Sequence, residues 1–525
     1  MRPGRPGIWL APLSLFAFAA CNETIPTTVS GLSSYEITMK KPTADELGSP
    51  SSPVAPTSLT IDVQAIDSQG QPWTQNVDAN VFISFAGNKI GQLEACGKNE
   101  DEVPLMRIHL EGGVATDQTV AIPKAYGVAN LWVETANSDD GGTGNYAAGT
   151  SPPIYFANPT IPDVQTPYDP DPKVLPATDF YCTPFNGKHV FFNRASEFDG
   201  PDPAFRVQKG CTVGAPQATT DAECNTRGLY CGLDPATGQA GNCEKPCKTE
   251  KDCPAGDTCG PDPDQVDATR SYCLKHQSGQ LVVSSVFINA FVVADTGALF
   301  HGATGTGGFN HLYVFAFGRP PDAIVPGRII SDMSGNISKF VGFTELNFPI
   351  QNYTEVQDSN LVPPVYVISP SERPGGDQFN RRLLRLAGAT VSVTGTMCPI
   401  DQTSDDWKKF NQFNLDMGNP TNCDPFNTFS ISLPSKVFGT FDPLRIDGSV
   451  PGSDHSKAKK LTVVGMLRNF SGQSEATSPP TTCGHDQSIC TPLGTTVTCV
   501  EGTCKKAPYN FWPIDPRNQS DITIH

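Results

Sequence analysis

The residues best equipped for chemistry in this chain are its 17 cysteines and 8 histidines, and their spacing argues for crosslinking rather than catalysis. Cys211, Cys224, Cys231 and Cys243 follow C-x12-C-x6-C-x11-C, and three residues later Cys247, Cys253, Cys259 and Cys273 follow C-x5-C-x5-C-x13-C. A third group, Cys483, Cys490, Cys499 and Cys504, reads C-x6-C-x8-C-x4-C. No group contains a C-x2-C pair, and His276 is the sole nearby histidine, so a structural metal site is not expected. Units this small cannot bury enough apolar surface to fold alone, which points to disulfides. The sequence leaves their connectivity open, with first-to-third and second-to-fourth pairing preferred. Cys398 and Cys423 flank a hairpin-sized stretch and are expected to pair, which leaves Cys96 and Cys182 as partners by elimination.

Catalytic constellations are missing from the pattern. His109, His189, His276, His301, His311, His455, His485 and His525 are scattered, with no H-E-x-x-H among them, no G-x-S-x-G elbow and no Gly-Lys-Ser/Thr phosphate loop. The glycine-rich run 302–308 joins β-type segments and has no following helix or lysine, so it reads as a hairpin loop. Asp405-Asp406 and the pair Asp169 and Asp171 lack the alternating spacing and closing glutamate of a calcium loop, and read as solvated acids. One segment stands out as a possible ligand face, Trp407, Lys408, Lys409 and Phe410. It is either a strand burying its rings, with Phe413 and Leu415 alternating, or a stacking platform helped by the two lysines. The expectation is a binding protein and not an enzyme, with no cofactor and no metal.

The elements that position these residues are short strands. Leu59, Ile61, Val63 and Ala65 alternate with polar neighbours, Asp67-Ser68-Gln69-Gly70 makes a turn, and Val81, Ile83 and Phe85 alternate again. Further strands are expected at 107–110, 119–122 and 128–133, giving an antiparallel β-sandwich over 35–157. Pro159, Pro162, Pro167, Pro170 and Pro172 predict a stiff linker over 158–175. Strands resume at 281–283, 286–288, 290–293 and 312–317, then around 327–335 and 340–346. A last set occupies 386–395, 461–467 and 512–522.

Size and charge bound the rest. At 525 residues the chain needs several domains. Its net charge of −17 sits mostly in the N-terminal half, since residues 275–525 hold 19 basic and 21 acidic side chains. An acidic surface repels phosphate backbones, which counts against nucleic acid as a partner without excluding a local patch. Arg2 and Arg5 precede a mostly apolar run, Ile8 to Ala20, far short of the ~20 residues of a membrane span. The small pair Ala19-Ala20 then meets Cys21.

That arrangement resembles the lipobox of bacterial lipoproteins, with Phe18 where the family usually has Leu. It implies a signal peptide over 1–20, lipidation at Cys21, a polar tether over 21–34 and a place in the cell envelope, with Asn22 fitting the outer membrane. An ordinary secretory signal cut nearby is the alternative. Removing Cys21 leaves an even sixteen cysteines, which suits full pairing in an oxidising compartment.

The segments 65–70, 112–115 and 126–129 resemble bacterial Ig-like domains, which are stalk and adhesion modules. Gly327 to Gly335, followed by Phe340-Val341-Gly342-Phe343-Thr344-Glu345-Leu346, resembles the OB-like β-barrels of secreted bacterial nucleases and myxobacterial-type surface lipoproteins. Ile514-Asp515-Pro516-Arg517 with Ser520-Asp521-Ile522 carries the same resemblance later in the chain. It implies a mainly β protein: an Ig-like β-sandwich, then one OB-like barrel over 176–355 with a cysteine-rich insertion at 206–275. A second would span 356–525 with an insertion at 472–507, and Gly187 to Phe192 would be the first barrel's missing strand. The implied role is a lipid-anchored binding, adhesion or scaffold module for a protein or glycan ligand. Nucleic-acid capture by the barrels is the alternative.

Overall fold

The computed structural model describes residues 31–525 apart from several segments, the longest being 91–103, 137–146, 167–182, 213–229, 262–270, 371–380 and 447–458. Cys21, Cys96, Cys182, Cys224, His301, His455, His485, Asp169, Asp171 and 302–306 lie outside the described residues, as do the side chains of Cys211, Cys231, Cys243, Cys483 and Cys499.

The first unit is a β-sandwich built by alternation. Leu59, Ile61, Val63 and Ala65 are fully buried while the residues between them are half-buried, so one face of the strand Ser58–Asp67 meets the core. That strand lies between Leu32–Lys41 and Val114–Ala121. Val77–Phe85 pairs with Met106–Leu110 and Val128–Thr135. Ala148–Thr150 joins the two sets, antiparallel to Val128–Thr135 and parallel to Leu32–Lys41. The turn after Asp67 is fixed by its own carboxylate, whose Oδ1 accepts from Gln69 N at 2.8 Å and Gln71 N at 2.9 Å.

Two expectations at the edges of this unit need correction. The first strand starts at Leu32, which is buried, so residues 32–34 belong to the sandwich and not to a tether. The proline-rich stretch begins as a helix, Ile161–Gln165, rather than as an extended spacer. Thr160 N and Oγ1 both donate to Asp163 Oδ2, at 2.9 and 2.8 Å, and Pro162 suits the first turn. Ile161 and Val164, three apart on one helix face, are fully buried in a core continuous with the sandwich and the next unit. Gln165 Nε2 donates to His311 O at 2.7 Å, which docks the helix on that unit.

Two closed five-stranded barrels follow. In the first, the strands in chain order are Leu281–Val286, Ala290–Asp295, His311–Phe315, Arg328–Phe340 and Phe343–Gln357. They close in the order 1-2-3-5-4-1, with strands 3 and 5 parallel and every other pair antiparallel. His189–Phe192 adds a sixth strand outside this ring, paired with strand 4. The second barrel uses Thr390–Met397, Gln412–Asp416, Thr428–Ser432, Lys460–Leu467 and Pro513–Asp515 in the same order and the same directions.

The cysteine-rich segments leave these barrels on paired stems. Glu197–Pro201 pairs with Tyr272–Ser278 before strand 1 of the first barrel, so this insertion falls between the added strand and the ring. At its base, buried Asp295 accepts from Ser196 N, Ser196 Oγ and Gly297 N, all within 3.0 Å. In the second barrel Phe470–Gly472 pairs with Tyr509–Phe511, placing the insertion between strands 4 and 5. The second four-cysteine unit is crosslinked Cys247–Cys259 and Cys253–Cys273, first to third and second to fourth. Cys490–Cys504 links the second and fourth cysteines of the last unit, and Cys398–Cys423 staples the second barrel.

Candidate ligand-binding cleft

Where the two barrels meet, their ends enclose a cleft of about 570 Å3, within the range of small-ligand sites. The first barrel contributes the turn Phe287-Ile288-Asn289 between strands 1 and 2, Tyr313 and Phe315 on strand 3, and Phe340, Phe343 and Glu345 around the strand 4–5 hairpin. Phe287 and Ile288, expected in a strand, instead make a turn: Phe287 N donates to Ala290 O at 2.8 Å. The second barrel contributes Ser432 at the end of strand 3, Arg468 just after strand 4, and Asp515, Pro516 and Arg517 from strand 5 onward.

Direct contacts hold the barrels in this arrangement. Ser285 Oγ and Thr390 Oγ1 share a buried hydrogen bond of 3.1 Å, Phe309 N donates to Arg385 O at 2.7 Å, and Asn469 Nδ2 donates to Gly342 O at 3.2 Å. Gly388 of the second barrel has φ +84°, and a Cβ there would stand 2.9 Å from the Cβ of His311 in the first. Glycine thus serves both the turn and the close approach.

The cleft combines an aromatic wall with compensated charge. The Tyr313 ring lies 5.6 Å from Phe343 and 6.5 Å from Phe287, and Phe343 and Phe340 each meet Phe470 edge-on. Arg468 Nη2 donates to Asp515 Oδ1 at 2.8 Å, and its guanidinium lies 4.7 Å from the centre of the Phe470 ring. Arg517 Nη2 donates to Asp521 Oδ1 at 2.9 Å. Burial raises the Asp515 carboxyl above the usual carboxylate range, with Arg468 opposing it. Burial also raises Glu345, against hydrogen bonds from Asn347 and Ser338, and pushes the Tyr313 phenol up to about 12. The site can therefore present donors and acceptors between flat apolar surfaces, with both of its arginines matched by carboxylates.

The residues singled out from sequence lie elsewhere. Trp407 to Phe410 form a helix, Asp405–Phe410, not a strand: Ser404 Oγ caps it by accepting from Trp407 N at 3.2 Å. Trp407 is buried in the second barrel's core, Lys409 pairs with Asp405 at 2.9 Å, and Phe410 is exposed. One face therefore does not present all four, and none lines the cleft. Among the described residues, the His, Cys, Asp and Glu side chains close enough to share a metal are Cys247, Cys253 and Cys273, whose sulfurs are already in disulfides. His276 bridges Asp199 and Glu197 at 3.0 and 3.1 Å on an insertion stem, and His311 is wholly buried at the barrel junction.

Sequence reading missed the cleft because its two walls come from segments 87 or more positions apart, Glu345 and Ser432 being the nearest. A signal was present nonetheless. Both motifs that carried the barrel resemblance contribute to its lining, one through Phe340, Phe343 and Glu345 and the other through Asp515, Pro516 and Arg517.

The chain matches no protein-family model and no curated protein. Among solved structures, the ICAM-5 D1-D4 ectodomain fragment aligns with 61% of this chain and 75% of its own length, at 10% identity and a TM-score of 0.12. A likeness that slight carries no argument.

Proposed function

We propose that this chain is a lipid-anchored, non-enzymatic binding protein of the cell envelope, with its ligand seated in the cleft between two OB-like barrels. The Ig-like sandwich acts as a stalk and the disulfide-stapled insertions flank the binding unit. The observation that carries this reading is the cleft itself, in which five aromatic side chains of one barrel face an ion-paired polar wall of the other. Such a mixture of apolar lining and a few oriented polar groups is what small-ligand and glycan sites use. The ligand is a glycan or a protein. Nucleic acid is disfavoured, because both arginines of the cleft are already paired with carboxylates and the chain carries −17 overall.

Two experiments test the two halves of this proposal. Cys21→Ser should move the protein from the membrane to the soluble fraction, and unchanged partitioning would refute the anchor. Ligand captured by the full chain from crosslinked envelopes should be lost with Arg468→Ala and Glu345→Ala, and capture indifferent to both would refute the cleft.

A further inference from the structure

Beside the cleft, the first barrel displays three phenylalanines in a row. Phe315, which lines the cleft, lies 4.5 Å from Phe317, and Phe317 stacks on Phe348 at 4.6 Å with an interplanar angle of 25°. Phe317 and Phe348 are 57% and 66% exposed. Both also sit in the left-handed backbone region, with φ of +57° and +52°, where an L-residue with a bulky side chain is disfavoured. Two large apolar rings are thus held in water at positions that glycine would fill with less strain. Stability does not explain that choice, and strain of this kind collects at functional sites.

We propose, building on the cleft reading above, that this stack and the cleft form one continuous track for a linear neutral polysaccharide. The C–H faces of a pyranose ring are electron-poor and apolar, and they complement the negative face of an aromatic ring. Sugar hydroxyls both donate and accept. The cleft offers them acceptors on Glu345, donors on Arg468 and Arg517, and groups of both kinds on Ser432 and Asn289. Charge selects the class: Arg468 is matched by Asp515 and Arg517 by Asp521, while Glu345 would repel a phosphate, sulfate or uronate. The row of rings runs from outside the cleft to its wall, as an extended chain requires and a compact solute does not.

The test is native affinity electrophoresis of the full chain in gels containing laminarin, dextran or xyloglucan, with polygalacturonate and oligo-dT as anionic contrasts. At least one neutral polysaccharide should retard the protein, and raising NaCl to about 0.5 M should leave that retardation in place, since no exposed charge pair drives it. Phe317→Gly with Phe348→Gly should weaken it at least about tenfold, the size of one lost aromatic contact. The same double variant should melt at or above the parent's temperature, because glycine relieves both positive φ values. No retardation by the neutral polymers, retardation by the anionic polymers alone, or full retardation of the double variant would each overturn the proposal. If the neutral polymers are inert while capture from envelopes still depends on Arg468 and Glu345, the glycan inference falls and the cleft reading stands. If both fail, both fall.

Discussion

The two barrels share one strand order and one set of strand directions, yet the first exposes more of its aromatic side chains than the second. In the second barrel Trp407, Phe413, Phe429, Phe441 and Trp512 are all buried in a single core. In the first, Phe317, Phe340 and Phe348 are more than half exposed, and Phe287, Tyr313 and Phe315 line the shared cleft. The difference teaches that topology sets where strands go but not what they present. Under the proposed function, the second barrel is the support that supplies paired charges to the cleft, and the first is the surface that meets the ligand.

Truncating one ring in each barrel should give the largest difference between them. Phe429→Ala should cost about 3–5 kcal/mol in urea unfolding, because it empties a fully buried site. Phe348→Ala should cost no more than about 1 kcal/mol, the size of one aromatic pair, because its ring is mostly exposed and alanine meets the same positive φ. Equal losses would end the distinction between support and display.

Next in size is the staple of the supporting barrel. Cys398→Ser with Cys423→Ser opens a crosslink spanning 25 residues and should cost about 3 kcal/mol, read as a lower urea midpoint. Opening Cys490–Cys504, within the insertion, should leave exchange protection of the barrel strands intact and raise exchange only around 482–505.

A pH-dependent effect bears on the junction between the barrels. Burial lowers His311 from 6.5 to about 3, so the unfolded chain takes up its proton first as the solution acidifies. The stability that neutral His311 permits is complete above pH 6.5 and is lost as pH falls from there toward about 3, by at most about 1.4 kcal/mol per unit. Glu345 and Asp515, whose carboxyls are raised, act in the opposite sense. The diagnostic is therefore the difference between the chain and His311→Gln, which should flatten the melting temperature over that interval. Identical profiles would remove His311 from the argument. Smallest of all, Lys409→Ala should shift stability by no more than about 0.5 kcal/mol, since its pairing with Asp405 is on the surface.

Much of the strand pattern was legible because burial imposes a period of two. Leu59 to Ala65 and Val391 to Val393 show it directly, as does the strand Lys460–Leu467. Two short helices were not legible as such. Ile161–Gln165 hid behind its prolines, although Thr160 and Asp163 spell a capping box, and Asp405–Phe410 was masked by rings that also suit a strand. The cleft was the hardest to see. Tyr313 and Arg468 stand 155 positions apart in the chain, and only closure of both barrels brings their segments to one surface. Local periodicity holds no record of such a meeting.

The most direct test of the central claim replaces single residues with the photo-crosslinker p-benzoylphenylalanine in living cells. One variant carries it at Phe340, on the rim of the cleft, and the other at Phe410, exposed on the second barrel. A ligand adduct is expected from position 340 and none from position 410. Adducts from 410 alone, or equally from both, would contradict that claim.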